Sequence, residues 1–210
     1  HKDINLVVDT MKAGAFDYLL KPFDLDRVSD VVARAVADRT AVMAAPEADD
    51  AAPMLVGSSP ALQEVFARIA LLATTDVPVL ITGASGTGKE VAAREIHARS
   101  ARAAEPFVAT SLAALAAGAV EAELFGEGDR PGLVELAGRG TLLLDEIHAA
   151  PAVVQARLAR VLETGTLTRT RSIEPRSLAA RIIAATDVDL GGLVAQGAFR
   201  ADLFYRLSGV

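Results

Sequence analysis

Seven consecutive residues, Gly83-Ala84-Ser85-Gly86-Thr87-Gly88-Lys89, have the types and spacing needed to hold a triphosphate. Glycines let the chain bend so that successive backbone N–H groups face one anion, and a closing lysine reaches the outer phosphates. The apolar run 77–82 (VPVLIT) before the loop reads as a buried strand. The pattern Val91, Ala92, Ile96 after it reads as a helix whose N-terminus adds a favourable dipole. One position departs from the general pattern, since Glu90 stands where Ser or Thr usually holds Mg²⁺.

A second chemical signal is the run Thr141-Leu142-Leu143-Leu144-Asp145-Glu146. Alone, an apolar strand ending in two acids is an ordinary strand reaching solvent. Downstream of a phosphate loop, Asp145 reads as a Mg²⁺ ligand acting through water, and Glu146 as the group that orients and polarises an attacking water. The two motifs together imply hydrolysis of ATP or GTP. A third signal is Arg200 and Arg206 in FRADLFYRL, six residues apart and so on different faces of a helix. Guanidinium groups stabilise charge on a transferring phosphoryl group, often across a subunit boundary. Without that context the same pair reads as surface or salt-bridging arginines.

These residues need a sheet to bring them together. Strands are expected at 77–82, 107–110, 141–145 and 181–186, with helices at 89–100, 152–163 and near 190–196. A further helix begins at Ser58-Ser59-Pro60 and carries Leu62, Val65, Phe66 and Ile69 on its apolar face. Alternating strands and helices predict an α/β fold with a parallel sheet covered on both faces. With 51% hydrophobic but only 4% aromatic residues and no Trp, the core must be aliphatic.

Residues 1–40 form a separate small unit with an amphipathic helix carrying Leu25, Val28, Val31, Val32 and Ala35. About 40 residues bury too little to stand alone, so this unit reads as the end of a truncated domain. Residues 41–54, rich in Ala, Pro and acids, read as a linker. The absence of Cys excludes disulfides, Cys-ligated zinc and thiol catalysis, and fits a cytoplasmic protein. No stretch reads as a membrane span or signal peptide. A net charge of −6 argues against a whole-domain nucleic-acid footprint, and Arg169, Arg171, Arg176 and Arg181 read as arginines on a solvated face.

The segments GASGTGKE, FVATSLAAL, EAELFG, GTLLLDEI, QARLARVL, RIIAATD and FRADLFYRL occur in the order seen in one family. Residues 55–210 resemble the AAA+ ATPase domain of NtrC-like bacterial enhancer-binding regulators, the sigma-54-dependent activators. The resemblance implies a three-layer AAA+ sandwich and ATP rather than GTP. In that family Glu follows the loop lysine, which accounts for Glu90. It also implies a hexameric or heptameric ring in which Arg200 and Arg206 face a neighbour's ATP. GAFDYLLKPFD resembles the last strand and helix of a flavodoxin-like response-regulator receiver domain. There Tyr18 would be the switch aromatic and Lys21 the contact to a phospho-aspartate. The implied partners are a sensor histidine kinase, RNA polymerase holoenzyme, and DNA through a C-terminal domain absent from this chain.

Three departures from the family pattern bear on function. The GAFTGA-like loop that touches sigma-54 is missing; Phe125-Gly126 runs through Glu127-Gly128-Asp129-Arg130-Pro131 straight to Gly132. Asp187 replaces the sensor Asn, and a carboxylate cannot donate to phosphate. Ser111 replaces an Asn that holds the catalytic Glu, so the restraint on Glu146 is expected to be shorter or lost. One reading is an active ATPase controlling transcription without the usual sigma-54 contact. A second is an ATP-dependent oligomerisation switch with little hydrolysis, and a third a sigma-54 activator using another surface.

Overall fold

The structure is a computed structural model that describes residues 59–116 and 118–209. The chain divides into units His1–Ala52 and Pro53–Val210, and the described residues all belong to the second. The expectations for residues 1–40, Tyr18 and Lys21 included, and for the linker at 41–54 lie outside them.

The first helix, α1 (Pro60–Ala73), starts as its sequence demands: the Ser59 side chain accepts from Leu62 N–H at 3.3 Å, and Pro60 occupies the first turn. Four strands then build one parallel sheet, β1 (Val79–Thr82), β2 (Phe107–Ser111), β3 (Thr141–Asp145) and β6 (Arg181–Thr186), in the order β1-β6-β3-β2. Every residue of β6 is buried, as are the first four of β3, so the two central strands are buried on both faces without alternation. The edge strands are only partly buried.

Successive residues of the central strands serve opposite layers. Leu142, Leu144, Ile182 and Ala184 pack into one core with Val154 and Leu158 of α5 (Ala152–Thr164) and Leu203 and Leu207 of α7 (Ala201–Ser208). Leu143, Ile183 and Ala185 point the other way, onto Ile69 of α1 and Ala93 and Ile96 of α2 (Lys89–Ala98). Helix, sheet and helix thus form three layers, with aliphatic cores on both sides.

The smaller elements escape the sequence reading. Short helices α3 (Val120–Phe125) and α4 (Leu133–Leu136) flank the shortened loop, and β4 (Thr166–Leu167) pairs antiparallel with β5 (Arg176–Ser177); α6 (Leu190–Ala195), by contrast, follows β6 where a helix near 190–196 is expected. Between α3 and α4, Glu127 and Arg130 exchange backbone hydrogen bonds at 3.1 and 3.0 Å, closing a tight turn on Gly128-Asp129. The turn is pinned from the side, since Gly128 N–H donates to Thr170 O and Thr170 N–H to Gly126 O. A Cβ on Gly132 would lie 2.3 Å from Gly126 N, so the two ends of the turn touch backbone to backbone.

One expectation for the arginines is corrected. Arg181 is 2% exposed rather than solvated, with Nη2 donating to Leu72 O at 2.8 Å and Nε to Val77 O at 3.3 Å. Burial pulls its pKa below the usual arginine value, against the attraction of Asp76. Arg169 is also mostly buried, in a fork to Glu135 at 2.7 and 3.0 Å, while Arg171 is the solvated one. A charged residue at the start of a central strand is buried by its position, whatever its type.

Candidate functional site

β1 delivers the chain into the glycine-rich loop, and Gly83 N–H donates to Thr186 O at 3.2 Å, so the loop begins tied to the end of β6. Thr87 closes it, donating from N–H and Oγ1 to Ala84 O at 3.3 and 2.8 Å. Gly86 and Gly88 have φ of +77° and +90°, backbone that costs a side-chain-bearing residue about 1–2 kcal/mol. Gly88 caps α2 without a side-chain acceptor, so the first N–H groups of the helix stay available to an anion. Lys89 Nζ donates to Gly83 O at 2.9 Å and Ala84 O at 3.1 Å, which holds the ammonium over the loop. Glu90 is engaged within its own helix, accepting from Arg94 at 2.7 and 3.0 Å, and both side chains are exposed.

The acid pair lies at the end of β3. Asp145 Oδ1 accepts from Glu146 N–H at 2.8 Å, and Glu146 takes a left-handed backbone, φ 53° and ψ 45°. A non-glycine residue there is strained by roughly 1–3 kcal/mol, and such strain gathers at functional sites. Register explains what holds the side chain: Ser111 pairs with Asp145 across the β2–β3 ladder, next to Glu146. Ser111 Oγ donates to Glu146 Oε2 at 2.5 Å and accepts from Ala114 N–H at 3.2 Å. A carboxylate can only accept, so the hydroxyl's direction is fixed. Of the two outcomes expected for the restraint on Glu146, the structure has the shorter one.

β6 ends in Thr186, buried, and Asp187, exposed, follows it directly. The loop, the acid pair and Asp187 therefore stand at the carboxyl ends of three adjacent strands, β1, β3 and β6. A cavity of about 560 Å³ opens beside the start of the loop and Asp187, walled by Gly83, Ala84, Asp187, Leu190 and Phe204 among others but not by Asp145 or Glu146.

The arginine pair is not drawn into this cluster by any contact among the described residues. Arg200 forks onto Asp202 at 2.8 and 3.0 Å, which holds the Asp202 carboxyl below its usual range. Arg206 pairs with Glu163 of α5 at 2.9 Å, and both arginines are at least a third exposed. Sequence reasoning missed the residue that sets the segment before α7. Gln155, buried on α5, donates to Ala150 O and Ala198 O and accepts Arg200 N–H at 2.8 Å. Its one visible signal was a polar residue between Val154 and Leu158.

A parallel sheet that carries a phosphate loop, an acid pair and a polar residue on three neighbouring strand ends defines a P-loop NTPase of the three-layer AAA+ type. Residues 55–210 match the family described as the Sigma-54 interaction domain, and the chain belongs to that family. It is similar to the DNA-binding transcriptional regulator NtrC of Azospirillum brasilense, 45% identical over 219 residues, covering 97% of this chain and 45% of that protein. The Klebsiella pneumoniae NtrC is 42% identical over 224 residues, covering 99% and 47%. That aligned span exceeds the 210 residues of this chain, so the relative carries residues that this chain lacks.

Among solved structures, NtrX from Brucella abortus in complex with ATP superposes with a TM-score of 0.72 at 36% identity, covering all of this chain and 47% of that one. The P-loop NTPase domain of a Sigma-54 activator from E. coli gives 0.54 at 26%, covering 72% and 92%. The chain spans about half the length of the curated relatives it matches. These relatives make it an NtrC-like enhancer-binding regulator domain. No helix among the described residues is long and apolar enough to cross a membrane.

Proposed function

We propose that this domain binds and hydrolyses ATP as the ring-forming motor of a response regulator that controls transcription. The observation that carries hydrolysis, beyond binding, is Glu146. Its backbone is strained, its side chain is aimed by Ser111, and it follows directly on Asp145 at the strand end where the phosphate loop opens. A module that only assembled on nucleotide would need neither the strain nor the aim. The ATP complex of the NtrX relative supports the choice of nucleotide.

The donors fit a triphosphate. Left-handed glycines and an uncapped helix start supply N–H groups, and Lys89 exchanges its two carbonyl contacts for phosphate oxygens. Asp145, a hard oxygen donor at the same edge, is the residue to hold Mg²⁺, which supplies charge neutralisation on the phosphates when bound. Glu146 accepts a proton from, and orients, the water that attacks the terminal phosphorus as its bond to the bridging oxygen breaks and ADP leaves. Arg200 and Arg206, exposed and held only by surface ion pairs, are free to swing toward the ATP of a neighbouring subunit.

The whole protein works in the cytoplasm with a sensor histidine kinase, RNA polymerase holoenzyme and DNA as partners. The test is ATP turnover by the full-length protein across a range of protein concentrations, with Arg206→Ala and Lys89→Ala. Turnover per subunit rises with concentration and collapses in Arg206→Ala, whereas Lys89→Ala loses ATP binding. Binding without turnover would replace the motor with a nucleotide-dependent assembly switch.

A further inference from the structure

The carboxylate of Asp187 has the same sign as the triphosphate expected beside it and no proton to offer. One cationisable group stands against it. His148 lies on the single 3-10 turn Ile147–Ala149 that follows Glu146, and its Nδ1 is 3.8 Å from Asp187 Oδ1, at ion-pair distance. The same nitrogen is 3.0 Å from Thr186 Oγ1, which also accepts Val188 N–H at 3.1 Å. Thr186 is wholly buried, so the hydroxyl is a fixed point against which the ring is set. The His148 side chain is 25% exposed, partly shielded from solvent, and that of Asp187 37%, open to it.

The other charged groups nearby are already engaged. Asp189 accepts Gly191 N–H at 3.0 Å as the cap of α6, Glu146 accepts from Ser111, and Asp145 accepts Glu146 N–H. Lys89 is held by the loop carbonyls. Among the described residues, His148 is the one group at ion-pair distance from Asp187.

The geometry points to His148 as a positioning residue that neutralises Asp187 and so lets the end of β6 accept the terminal phosphate of a nucleotide. The inference rests on the nucleotide-binding reading above. With the proton on both nitrogens, Nδ1–H faces Thr186 Oγ1 and the Asp187 carboxylate together. The negative charge of Asp187 is then balanced within the protein instead of repelling phosphate. Because His148 follows Glu146 by two residues, the contact also ties the turn behind β3 to the end of β6.

The experiment is a fluorescence titration of the full-length protein with an N-methylanthraniloyl ATP analogue, for wild type, His148→Ala, Asp187→Asn and the double variant. His148→Ala weakens binding about tenfold, the size of one contact to a charged group. Asp187→Asn binds at least as tightly as wild type, and adding His148→Ala to it changes nothing further. His148→Gln, which keeps an uncharged donor toward Thr186, follows His148→Ala; melting without nucleotide confirms that each variant is folded. Equal losses in both backgrounds, or no loss in either, would overturn the inference while leaving nucleotide binding intact. Failure of the wild type to bind would remove the nucleotide reading itself, and this inference with it.

Discussion

Ser111→Ala separates the chemistry of the site from its binding. The substitution deletes the only described hydrogen bond to the Glu146 side chain, the 2.5 Å bond from Ser111 Oγ. It leaves the phosphate loop, Asp145 and the strained Glu146 backbone untouched. Its second effect, on Ala114 N–H, falls at an exposed position where water replaces the acceptor. A hydrogen bond to a charged group is worth about 1.5–3 kcal/mol. If that restraint is what keeps the carboxylate on the attacking water, kcat falls about 10- to 150-fold at one decade per 1.36 kcal/mol. ATP affinity stays within about twofold, because no binding group has moved. Phosphate release at saturating ATP, at protein concentrations where turnover per subunit is constant, gives kcat, and a nucleotide titration gives affinity. Ser111→Asn keeps a donor and retains most of the activity. Full kcat in Ser111→Ala would show that Glu146 needs no partner on β2, and the argument from its orientation would fail.

Further outcomes follow from the packing around the shortened turn. Glu135 is mostly buried against Arg169 and Arg176, and its hydrogen bonds from Arg169 hold the carboxyl below the usual glutamate range. A carboxyl lowered in the folded state contributes stability above its unfolded pKa and loses it as pH falls through the folded value. Glu135→Gln therefore lowers unfolding stability by about 1–3 kcal/mol at pH 7, and the difference from wild type closes in denaturant titrations repeated toward pH 3. Gly132→Ala, whose methyl would meet backbone atoms at 2.3–2.5 Å, costs more than about 3 kcal/mol, whereas Gly128→Ala, open but left-handed, costs about 1–2 kcal/mol, as thermal melts will report. In a purified transcription assay the full-length protein forms no open complex with sigma-54 holoenzyme, since a turn on Gly128-Asp129 projects no apolar tip; robust opening would refute that reading of the turn.

What was legible in the sequence was what repeats or punctuates. The apolar run Leu142–Leu144, set among alternating strand and helix patterns, reads as a central strand of a covered sheet, and Ser59-Pro60 marks a helix start by its chemistry. The phosphate loop and the Asp145-Glu146 pair were legible because backbone geometry and charge at a strand end restrict the residue types. The short elements were not, because the four residues of α4 and the two each of β4 and β5 are held by partners distant in sequence. Arg157 is the clearest case. Its guanidinium lies 4.4 Å over the Phe125 ring, donates to Glu121 and Thr170, and bonds Thr168 O. Nothing in QARLARVL reveals that one arginine ties α3, α5 and the β4–β5 connection together. Register across β2 and β3 was equally hidden, and that register decides that Ser111 reaches Glu146.

The same register shows how a nucleotide-dependent change would leave the site. β3 lies between β2 and β6, and its carboxyl end touches both: Glu146 through Ser111 on β2, and the following turn through His148 on Thr186 at the end of β6. Thr186 O in turn holds Gly83 N–H at the mouth of the phosphate loop. One hydrogen bond thus joins the loop to β6, and another joins β6 to the turn behind Glu146. From there Ala150 O reaches Gln155, whose other end fixes Arg200 N–H. The chain of contacts runs from phosphate loop to arginine segment without using the shortened turn at all. In the proposed ring it would link each nucleotide site to the arginines offered to a neighbour, a coupling that needs no loop reaching out to sigma-54.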